Sequence, residues 1–505
     1  MNLSLGISIS QAKQLMSFDT PLLVTFVAYL LLILFLGVKA YRRTHNLGDY
    51  ILGGRKLGSV VTALSVGASD MSGWLLLGLP GAIYLSGISE IWIGVGLVIG
   101  AYLNWLFVSR PLRVFSHEAN NSLTLPDYFE NRFNDNSRIL RVISAVVILL
   151  FFTFYTASGL VGGAILFENS FGLQYSTALL AGAFIIVAYT FVGGFLAVAW
   201  TDAIQALVML VALLIAPLVV INGAGGGSVL IDQMLAANSQ STSLFANMTF
   251  IGFISLIAWG LGYVGQPHIL ARFMAVESPL KLISARRIAM SWMIIVLIGS
   301  VSTGLAGIAY FVNQPLANPE TVFITLSQSL FNPWVAGIIT AAILSAIMST
   351  IDSQLLVSSS VIGEDFYRVF VHPDASEKEL LLVSRIAVIV IALLALTIAS
   401  DRDSRVLDLV SYAWAGFGAS FGPVIVFSLF WRRMTALSAV AGIVIGAATV
   451  VVWSNLSGGI FDLYEIVPGF LFASVAIAVI SALKPERNEL TLKKYDDVQG
   501  LLVVS

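Results

Sequence analysis

Thirteen apolar runs of roughly membrane-spanning length dominate this sequence of 505 residues and constrain its fold more than any other feature. A transmembrane α-helix needs about 20 consecutive, mostly apolar residues to cross the hydrocarbon core. Only helices and closed barrels satisfy all their backbone groups in lipid, so runs of this length predict an all-α polytopic membrane protein. The predicted spans, numbered 1 to 13, cover residues 21–41, 59–85, 91–109, 139–166, 175–201, 203–222, 249–264, 288–313, 334–358, 381–400, 406–430, 435–453 and 464–483.

The composition agrees with this fold and excludes several classes of function. Hydrophobic residues make up 58% of the chain and charged residues 11%, whereas about a quarter of a soluble domain is charged. A net charge of −2 gives no case for a nucleic-acid partner. The absence of cysteine excludes disulfides, thiol catalysis and cysteine-ligated metals. The first twenty residues lack the basic segment and compact apolar core of a cleavable signal peptide.

Lysine and arginine are distributed very unevenly among the connections between spans. Every second connection, beginning after span 1 and including the tail, together holds 23 of the 26 basic residues. The other side keeps Lys13, Arg402 and Arg405. Because cytoplasmic loops carry the excess of basic residues, this pattern places the N-terminus outside and the C-terminus inside. A miscounted span would scramble the alternation, so the pattern also supports thirteen spans.

Three acidic residues fall within or at the ends of the apolar runs. Asp70 lies near the middle of span 2, Asp202 at the predicted junction of spans 5 and 6, and Asp352 in the inner half of span 9. A charge inside the bilayer is costly, so such an acid is a functional candidate by default. The alternative for each is a structural acid that is hydrogen-bonded at a helix junction.

Spans 2 and 7 contain residues that disfavour a continuous helix. Gly78-Leu-Pro80 in span 2 is echoed by Gly265-Gln-Pro267 in span 7, and both stretches are rich in glycine. The two spans run in opposite directions and are five spans apart. This arrangement is typical of an inverted-repeat transporter whose site lies at the helix breaks. The alternative is a pair of proline-kinked spans packed on small residues.

Small and hydroxyl-bearing residues line one face of span 9. Ala346, Ser349, Thr350 and Ser353 are spaced at i, i+3, i+4 and i+7. Such a face suits close helix packing. It equally suits a cation site, since hard cations prefer oxygen ligands. The pattern alone leaves both interpretations open.

The segments that carry these features resemble the sodium/solute symporter family, and within it the sodium/proline branch. The resemblance covers nearly the whole chain and is weakest at its two ends. It rests on DYILGGRKLG (49–58), ASDMSGWLLLGLPGA (68–82), NNSLTLPDYFENRF (120–133), YTFVGGFLAVAWTD (189–202), WGLGYVGQPHILARFM (259–274), MST (348–350) and VSYAWAGFGASFGP (410–423). The GGF core is shared by the family, whereas the stretch at 68–82 is specific to the proline branch.

The resemblance implies a leucine-transporter-type core of five plus five inverted spans. Residues 1–58 would form the outer N-terminus, the first span and the first cytoplasmic loop. The repeats would cover residues 59–222 and 249–430. Spans 12 and 13 (431–483) would be peripheral, and residues 484–505 would form a cytoplasmic tail too short for a signalling domain.

The resemblance also implies a single sodium ion, as the only metal, between broken span 2 and span 9. Its ligands would be three carbonyl groups and two hydroxyl groups, with an acid of span 2 between two of the carbonyls. Carried over by position, the carbonyls belong to Ala68, Met71 and Ala346, the hydroxyls to Ser349 and Thr350, and the acid is Asp70.

A substrate pocket for L-proline is implied at the same breaks. The residues carried over are Ser72, Gly73, Trp74, Tyr155, Trp259, Tyr263 and Pro267. Free N–H groups at a helix end suit the carboxylate of this zwitterion. Aromatic faces suit its ring and its ammonium. Ordinary packing is the alternative for the aromatic residues.

Three further features concern the inner side of the membrane. Asp49 and Arg55 resemble a family motif near the inner gate, and their alternative is positive-inside anchoring. Asp352 is not a residue that the proline branch requires. We expect Asp202 and Asp352, with Ser353, to form a transient cation station on the path to the cytoplasm. Separate structural acids are the alternative.

The sequence thus predicts sodium-coupled uptake of L-proline across a cytoplasmic membrane by alternating access. A proton-coupled permease, in which Asp70 titrates, or a sodium-coupled permease for another small solute is the alternative. No nucleophile–base pair or metal cluster in the spans suggests an enzyme. We expect no organic cofactor and no obligatory protein partner.

Overall fold

Helices carry most of the backbone in this computed structural model, which describes residues 20–41, 46–192 and 194–504. Within these ranges the β pairing is a single isolated parallel bridge between Leu57 and Val276. Several sequence predictions lie outside the described residues. They concern the N-terminal residues 1–19, the basic residues Arg42 and Arg43, and Gly193 of the GGF segment.

Each predicted span corresponds to one helix or to one bent pair of helices. Ten single helices are long and apolar enough to cross a membrane, and two bent pairs qualify together. Span 5 is a shorter apolar helix. The thirteen are Thr20–Tyr41, Ser59–Asp70 with Trp74–Ser86, Ile88–Glu118, Ile139–Phe171, Tyr175–Val192, Phe195–Gly223, Phe250–Gly265 with Pro267–Met274, Lys281–Tyr310, Pro333–Val371, Glu377–Ala399, Val406–Phe430, Ala436–Trp453 and Ile466–Leu483.

Spans 9 and 11 lie at the centre of the bundle. In each, 83% of the apolar stretch is buried within the protein, compared with 28% in span 1. A central helix contacts protein on all sides, so its polar side chains find partners on neighbouring spans rather than facing lipid. This position suits span 9 for carrying buried hydroxyl groups.

The boundary between spans 5 and 6 was predicted wrongly. Span 5 ends at Val192 rather than at residue 201, and span 6 begins at Phe195 rather than at residue 203. Gly194 adopts an extended conformation, with φ −150° and ψ −177°. The apolar run continues unbroken across this turn, so hydropathy alone could not place it. Asp202 therefore lies in the second turn of span 6, not at a junction of two spans.

Several spans extend beyond their predicted cytoplasmic ends. Span 3 continues to Glu118 and span 9 to Val371, while span 8 begins at Lys281. The predictions stopped where charged residues appear because charge interrupts an apolar run. A helix needs no apolar surroundings once its end leaves the membrane, so these turns continue as helix.

Shorter helices lie between the spans and after span 13. Leu125–Phe133 lies in the loop between spans 3 and 4, and Gly227–Ala237 follows span 6. Glu489–Val504 forms a helix in the tail. Lys494 in the tail donates to the carbonyl of Asn131 at 2.8 Å, which joins it to the loop helix.

Both predicted breaks are present. The two halves of span 2 meet at 60° and those of span 7 at 43°. In span 7 the second half begins at Pro267, as expected for a proline at the first helical position. In span 2 the interruption comes at residues 71–73, so Pro80 does not mark it. Pro80 instead lies in the first turn of the helix Leu79–Ser86.

Glycine in span 7 serves close packing as well as the break. A Cβ atom on Gly262 would lie 1.9 Å from the indole nitrogen of Trp414 in span 11. A Cβ atom on Gly100 of span 3 would lie 2.0 Å from the carbonyl oxygen of Gly260. These approaches are far below van der Waals contact, so only glycine fits, and they hold spans 3 and 11 against span 7.

Candidate functional site

The break in span 2 exposes backbone groups in the middle of the protein. The inner half ends at Asp70, and Met71 leaves the helical region with φ −81° and ψ 65°. The amide of Ser72 donates to the carbonyl of Asp70 at 2.9 Å, and the outer half starts at Trp74. The negative end of one helix dipole and the positive end of another therefore meet at one point, which suits a cation beside a carboxylate.

Four of the five oxygen atoms predicted to bind sodium lie close together. The hydroxyl of Ser349 donates to the carbonyl of Ala68 at 2.8 Å and to the carbonyl of Ala346 at 3.1 Å. The hydroxyl of Thr350 lies 3.4 Å from the same Ala68 carbonyl. The fifth predicted ligand, Met71, is the residue that caps the inner half of span 2. All five residues are buried, and their oxygen atoms are of the kind that hard cations prefer.

The polar face of span 9 is divided between two neighbours. Ser349 and Thr350 face span 2, whereas the hydroxyl of Ser353 accepts a hydrogen bond of 2.5 Å from Arg272 in span 7. Hydrogen bonds across helices, rather than bare small-residue packing, therefore characterise this face.

The carboxylate of Asp70 is directed at span 7. It accepts a hydrogen bond from the phenol of Tyr263, and its side chain is buried, with 3% of the residue exposed. The carbonyl of Asp70 accepts a second bond, of 3.2 Å, from the indole nitrogen of Trp74. Asp70 thus connects the breaks of spans 2 and 7.

Aromatic rings from four elements surround the outer side of the two breaks. Trp74 and Trp259 lie 6.4 Å apart between ring centroids, and Trp259 stacks on Tyr464 at 5.5 Å with 28° between their planes. Trp414 contacts Tyr263 edge-on at 5.1 Å and donates to the carbonyl of Trp259 at 2.7 Å. The sequence reasoning missed Tyr464 and Trp414, although Trp414 lies within the VSYAWAGFGASFGP segment.

The remaining predicted pocket residues are close to these rings but face different neighbours. Gly73 approaches Ile347 of span 9, where a Cβ atom would lie 3.1 Å from its side chain. Ser72 accepts a 3.3 Å bond from the amide of Trp74. Tyr155 is buried, and its hydroxyl lies close to the side chain of Ser72. Pro267 lies further inward, where it lines a small cavity together with Ile148 of span 4.

Asp202 forms a buried ion pair that the sequence reasoning did not foresee. Its Oδ2 accepts bonds from Arg272 at 2.8 Å and from Ser65 at 2.6 Å. Arg272 also donates to Ser353, so one guanidinium joins Asp202 of span 6 to span 9. Arg272 lies beyond residue 264, where the apolar run of span 7 ends, and so the sequence predicts a place for it in the following cytoplasmic loop. Hydropathy and residue type could not predict that Arg272 lies on the helix Pro267–Met274 and faces Ser65 and Asp202.

Asp352 has a separate set of contacts. One carboxylate oxygen accepts a hydrogen bond from Thr190 of span 5, and the other has no partner among the described residues. Asp352 and Asp202 share no direct hydrogen bond. Asp202, Arg272 and Ser353 therefore form one contiguous cluster. Asp352 directly precedes Ser353 on span 9 but does not belong to this cluster.

Arg55 joins three segments of the predicted cytoplasmic side. Its guanidinium donates to the carbonyls of Met274 at 2.5 Å and Ser122 at 2.7 Å, and to the side chain of Asn121 at 2.9 Å. Burial, together with the neighbouring charge of Arg113, lowers the pKa of Arg55, which still leaves it protonated at neutral pH. Asp49 lies in the first turn of the helix Leu47–Leu52. Arg55 thus does more than anchor the loop to lipid headgroups.

Comparison with known proteins identifies relatives of nearly the same length. The chain is 56% identical to the sodium/proline symporter of Salmonella typhimurium, over 93% of this chain and 94% of that one. It is 55% identical to the sodium/proline symporter of Escherichia coli, over 96% and 97%. It is 48% identical to the high-affinity proline transporter PutP of Bacillus subtilis, over 93% and 99%.

Solved structures show the same fold. A Na⁺-coupled sialic acid symporter, in a substrate-bound outward-open state, matches with a TM-score of 0.78 at 20% identity, over 92% of this chain and 99% of that one. This likeness confirms the fold class expected from the sequence, an all-α membrane protein with a leucine-transporter-type core. The family model described as the sodium:solute symporter family matches residues 50–446. Since that match covers most of the chain, the protein belongs to the sodium:solute symporter family.

Proposed function

We propose that this protein is a sodium-coupled symporter for L-proline that works by alternating access. The observation that carries the proposal is the contact between Ser349 and the carbonyl of Ala68, which brings the hydroxyl pair of span 9 onto the open end of broken span 2. Relatives at 55–56% identity, both named sodium/proline symporters, support the same ion and the same solute.

Sodium would bind among the oxygen atoms of Ala68, Met71, Ala346, Ser349 and Thr350. In the present structure the two hydroxyl groups donate toward the Ala68 carbonyl. A cation between them would be met by the lone pairs of the same oxygen atoms once these hydroxyls rotate. Asp70 would supply the negative charge nearby, although its carboxylate is held by Tyr263 rather than by span 9.

L-proline would bind on the outer side of the same break. The N–H groups at the start of the outer half of span 2, around Ser72, Gly73 and Trp74, would receive its carboxylate. Trp259 and Tyr263, with Tyr155 from span 4, would enclose its ring. The buried hydroxyl of Tyr155, close to Ser72, would offer the ligand a further polar group there.

Coupling follows from the shared element. Residues 68–74 provide ligands to both sites, so sodium that fixes the break also fixes the donors for the carboxylate. A ligand shifts an equilibrium only by its differential affinity for the two states, and the coupling is reciprocal. Sodium should therefore raise the affinity for proline, and proline the affinity for sodium.

The inner side would close through Arg55 and open for release. Arg55 bridges the segment before span 2 to the ends of spans 3 and 7, and Asp49 lies nearby on the preceding helix. Opening toward the cytoplasm would separate these segments. We place the Arg55 side of the protein in the cytoplasm, and the N-terminus outside, because the basic residues concentrate on the Arg55 side. We also place the protein in the cytoplasmic membrane.

Asp202, Asp352 and Ser353 would form the path by which sodium leaves. Because Arg272 already neutralises Asp202, a cation arriving there would compete with the guanidinium rather than be shared by two free acids. The cation station expected from the sequence contained two acids and a serine but no basic residue. The ion pair with Arg272 therefore changes how that station would work.

Uptake by purified protein in proteoliposomes tests the proposed function. Labelled proline uptake should require a sodium gradient when pH is clamped, and unlabelled proline should compete better than other small amino acids. Uptake driven by a pH gradient without sodium would point to the proton-coupled alternative. A different preferred solute with intact sodium dependence would point to the other permease.

A further inference from the structure

His268 carries two unpaired nitrogen atoms in the interior of the protein. The residue is fully buried, and neither ring nitrogen has a hydrogen-bond partner among the described residues. Burying a polar group without a hydrogen-bond partner destabilises the folded protein. An imidazole always presents at least one N–H donor, so the structure leaves a directed donor unused at this position.

Gln354 of span 9 also has an unpaired nitrogen atom. Its side-chain oxygen lies 3.3 Å from the hydroxyl of Thr156, whereas its amide nitrogen has no partner among the described residues. The ring of His268 lies 5.7 Å from that of Phe152 and 6.1 Å from that of Tyr155, between centroids. Residues 152, 155 and 156 lie on one face of span 4. His268 of span 7 and Gln354 of span 9 therefore approach the same face.

A small cavity continues this arrangement by one turn toward the predicted cytoplasmic side. Its volume is about 20 Å³, which is room for about one water molecule. The walls include Ile148 of span 4, Ala271 of span 7 and Val357 of span 9. Ile148 comes four residues before Phe152, and Ala271 and Val357 come three residues after His268 and Gln354, so each lies about one helical turn away. Inner-loop residues 123–126 cover the far end. The unpaired groups thus lie between the candidate proline pocket and the inner loop.

We propose that His268 and Gln354 form a release-side binding station for the carboxylate of the transported solute. The station rests on the proposed function, because it takes the same solute after it leaves the outer pocket. Its unpaired atoms include two nitrogen donors, and Tyr155 adds a hydroxyl that can donate. Donors of this kind suit a carboxylate, whereas a sodium ion would need oxygen ligands. A cavity of about 20 Å³ is too small for proline, so the station fills when the inner side opens.

A station on the inner path has a directional kinetic signature. It stabilises the solute after inward opening, so its loss weakens binding from the cytoplasmic side and leaves binding from the outer side unchanged. Influx and efflux share one equilibrium constant, so a substitution must change Vmax/KM by the same factor in both directions. In efflux this factor should appear as a higher KM, because binding from the cytoplasmic side is weakened. In influx KM is unchanged, so the same factor should appear as a lower Vmax.

The test uses purified full-length protein in proteoliposomes of uniform orientation, with equal sodium on both sides and no membrane potential. In Gln354→Leu and in His268→Leu, KM for proline efflux should rise about tenfold at unchanged efflux Vmax. Influx Vmax should fall by the same factor at unchanged influx KM. His268→Gln keeps a donor and should recover most of the loss. Gln354→Glu keeps the size but adds a charge that repels a carboxylate, so its efflux KM should rise further.

Phe151→Leu serves as the matched control, since Phe151 is equally buried in span 4 but contacts Tyr412 and Phe417 instead. Its efflux and influx KM should stay at the wild-type values. Efflux KM at the wild-type value in Gln354→Leu and Gln354→Glu would overturn the station and leave water as the sole occupant. Equal changes of KM in both directions would overturn it as well. Absence of sodium-dependent proline uptake in the wild-type protein would instead overturn the proposed function, and the station with it.

Discussion

The phenol of Tyr263 donates a hydrogen bond to the carboxylate of Asp70, so an acid and a tyrosine 193 positions apart connect the breaks of spans 2 and 7. Each residue lies where the helix of its span is interrupted or tightened, and both are buried. A hydrogen bond to a charged group in a water-poor interior is among the stronger ones. The candidate sodium site and the candidate proline pocket are therefore joined by one contact.

Asp70→Asn should raise the sodium concentration needed for half-maximal uptake by about tenfold or more, because neutralising the acid weakens the field that holds the cation. The protein should still insert, since removing a charge lowers the cost of insertion. Sodium-dependent uptake in proteoliposomes measures this change. Unchanged sodium dependence would remove Asp70 from the ion site.

Tyr263→Phe deletes the hydrogen bond and leaves the ring in place. Because a hydrogen bond to a charged group contributes about 1.5–3 kcal/mol, we expect at least a tenfold loss of sodium or proline affinity. The double variant Asp70→Asn, Tyr263→Phe should lose less than the sum of the two single losses. Strict additivity would show that the two residues act separately.

Ser349→Ala should lower apparent sodium affinity more than Thr350→Val, since the Ser349 hydroxyl lies 2.8 Å from the Ala68 carbonyl and the Thr350 hydroxyl 3.4 Å. By linkage, proline affinity should fall at limiting sodium and recover at saturating sodium. Ser345→Ala is the matched control, because Ser345 faces Tyr29 of span 1. If all three variants keep wild-type affinities, the hydroxyl groups of span 9 serve packing alone.

Trp259→Ala should weaken proline binding much more than sodium binding measured without proline, because the ring stacks on Tyr464 beside the pocket and not on span 9. Trp105→Ala removes an equally buried ring that packs on Phe273 and should leave proline affinity unchanged. An equal fall in sodium affinity without proline would indicate collapse of span 7. For Tyr263→Ala, by contrast, the hydrogen bond from Tyr263 to Asp70 predicts that sodium affinity falls as well.

The sequence predicted the parts of this protein that depend on hydropathy and on residue type within one span. The two breaks, the hydroxyl pair at Ser349 and Thr350 and the central acid Asp70 were all visible in this way. The spans were also visible, since apolar length is a local property. The turn at Gly194 was not visible, because the apolar run continues through it.

Contacts between distant segments could not be read from the sequence. Arg272 looked like one more basic residue of a cytoplasmic loop, yet it faces Asp202 in the interior. Tyr464 lies in a loop before span 13, and only the fold brings it onto Trp259. His268 and Gln354 are in different spans, and the unpaired nitrogen atoms of their side chains appear only in three dimensions.

Sodium release past Asp202 should depend on the charge of this residue. Removing one partner of a buried ion pair costs about 3–5 kcal/mol, because the other charge is left uncompensated. Asp202→Asn would leave the positive charge of Arg272 unopposed beside the proposed exit path, and this charge repels a cation. We therefore expect slowed sodium release with near-normal equilibrium sodium affinity. Asp352→Asn should slow release as well, with no further slowing in the double variant if the two acids act on one path.

Arg272 allows a sharper form of this experiment. In Asp202→Asn, Arg272→Gln both charges are removed, so no unpaired guanidinium remains to oppose the ion. Release should then be faster than in Asp202→Asn alone, although still slower than in the wild-type protein. Stopped-flow measurement of sodium release from the inward-facing state follows each variant. If the Arg272→Gln substitution gives no recovery, or if the Asp202 and Asp352 substitutions slow release additively, the acids are separate structural groups and the exit path runs elsewhere.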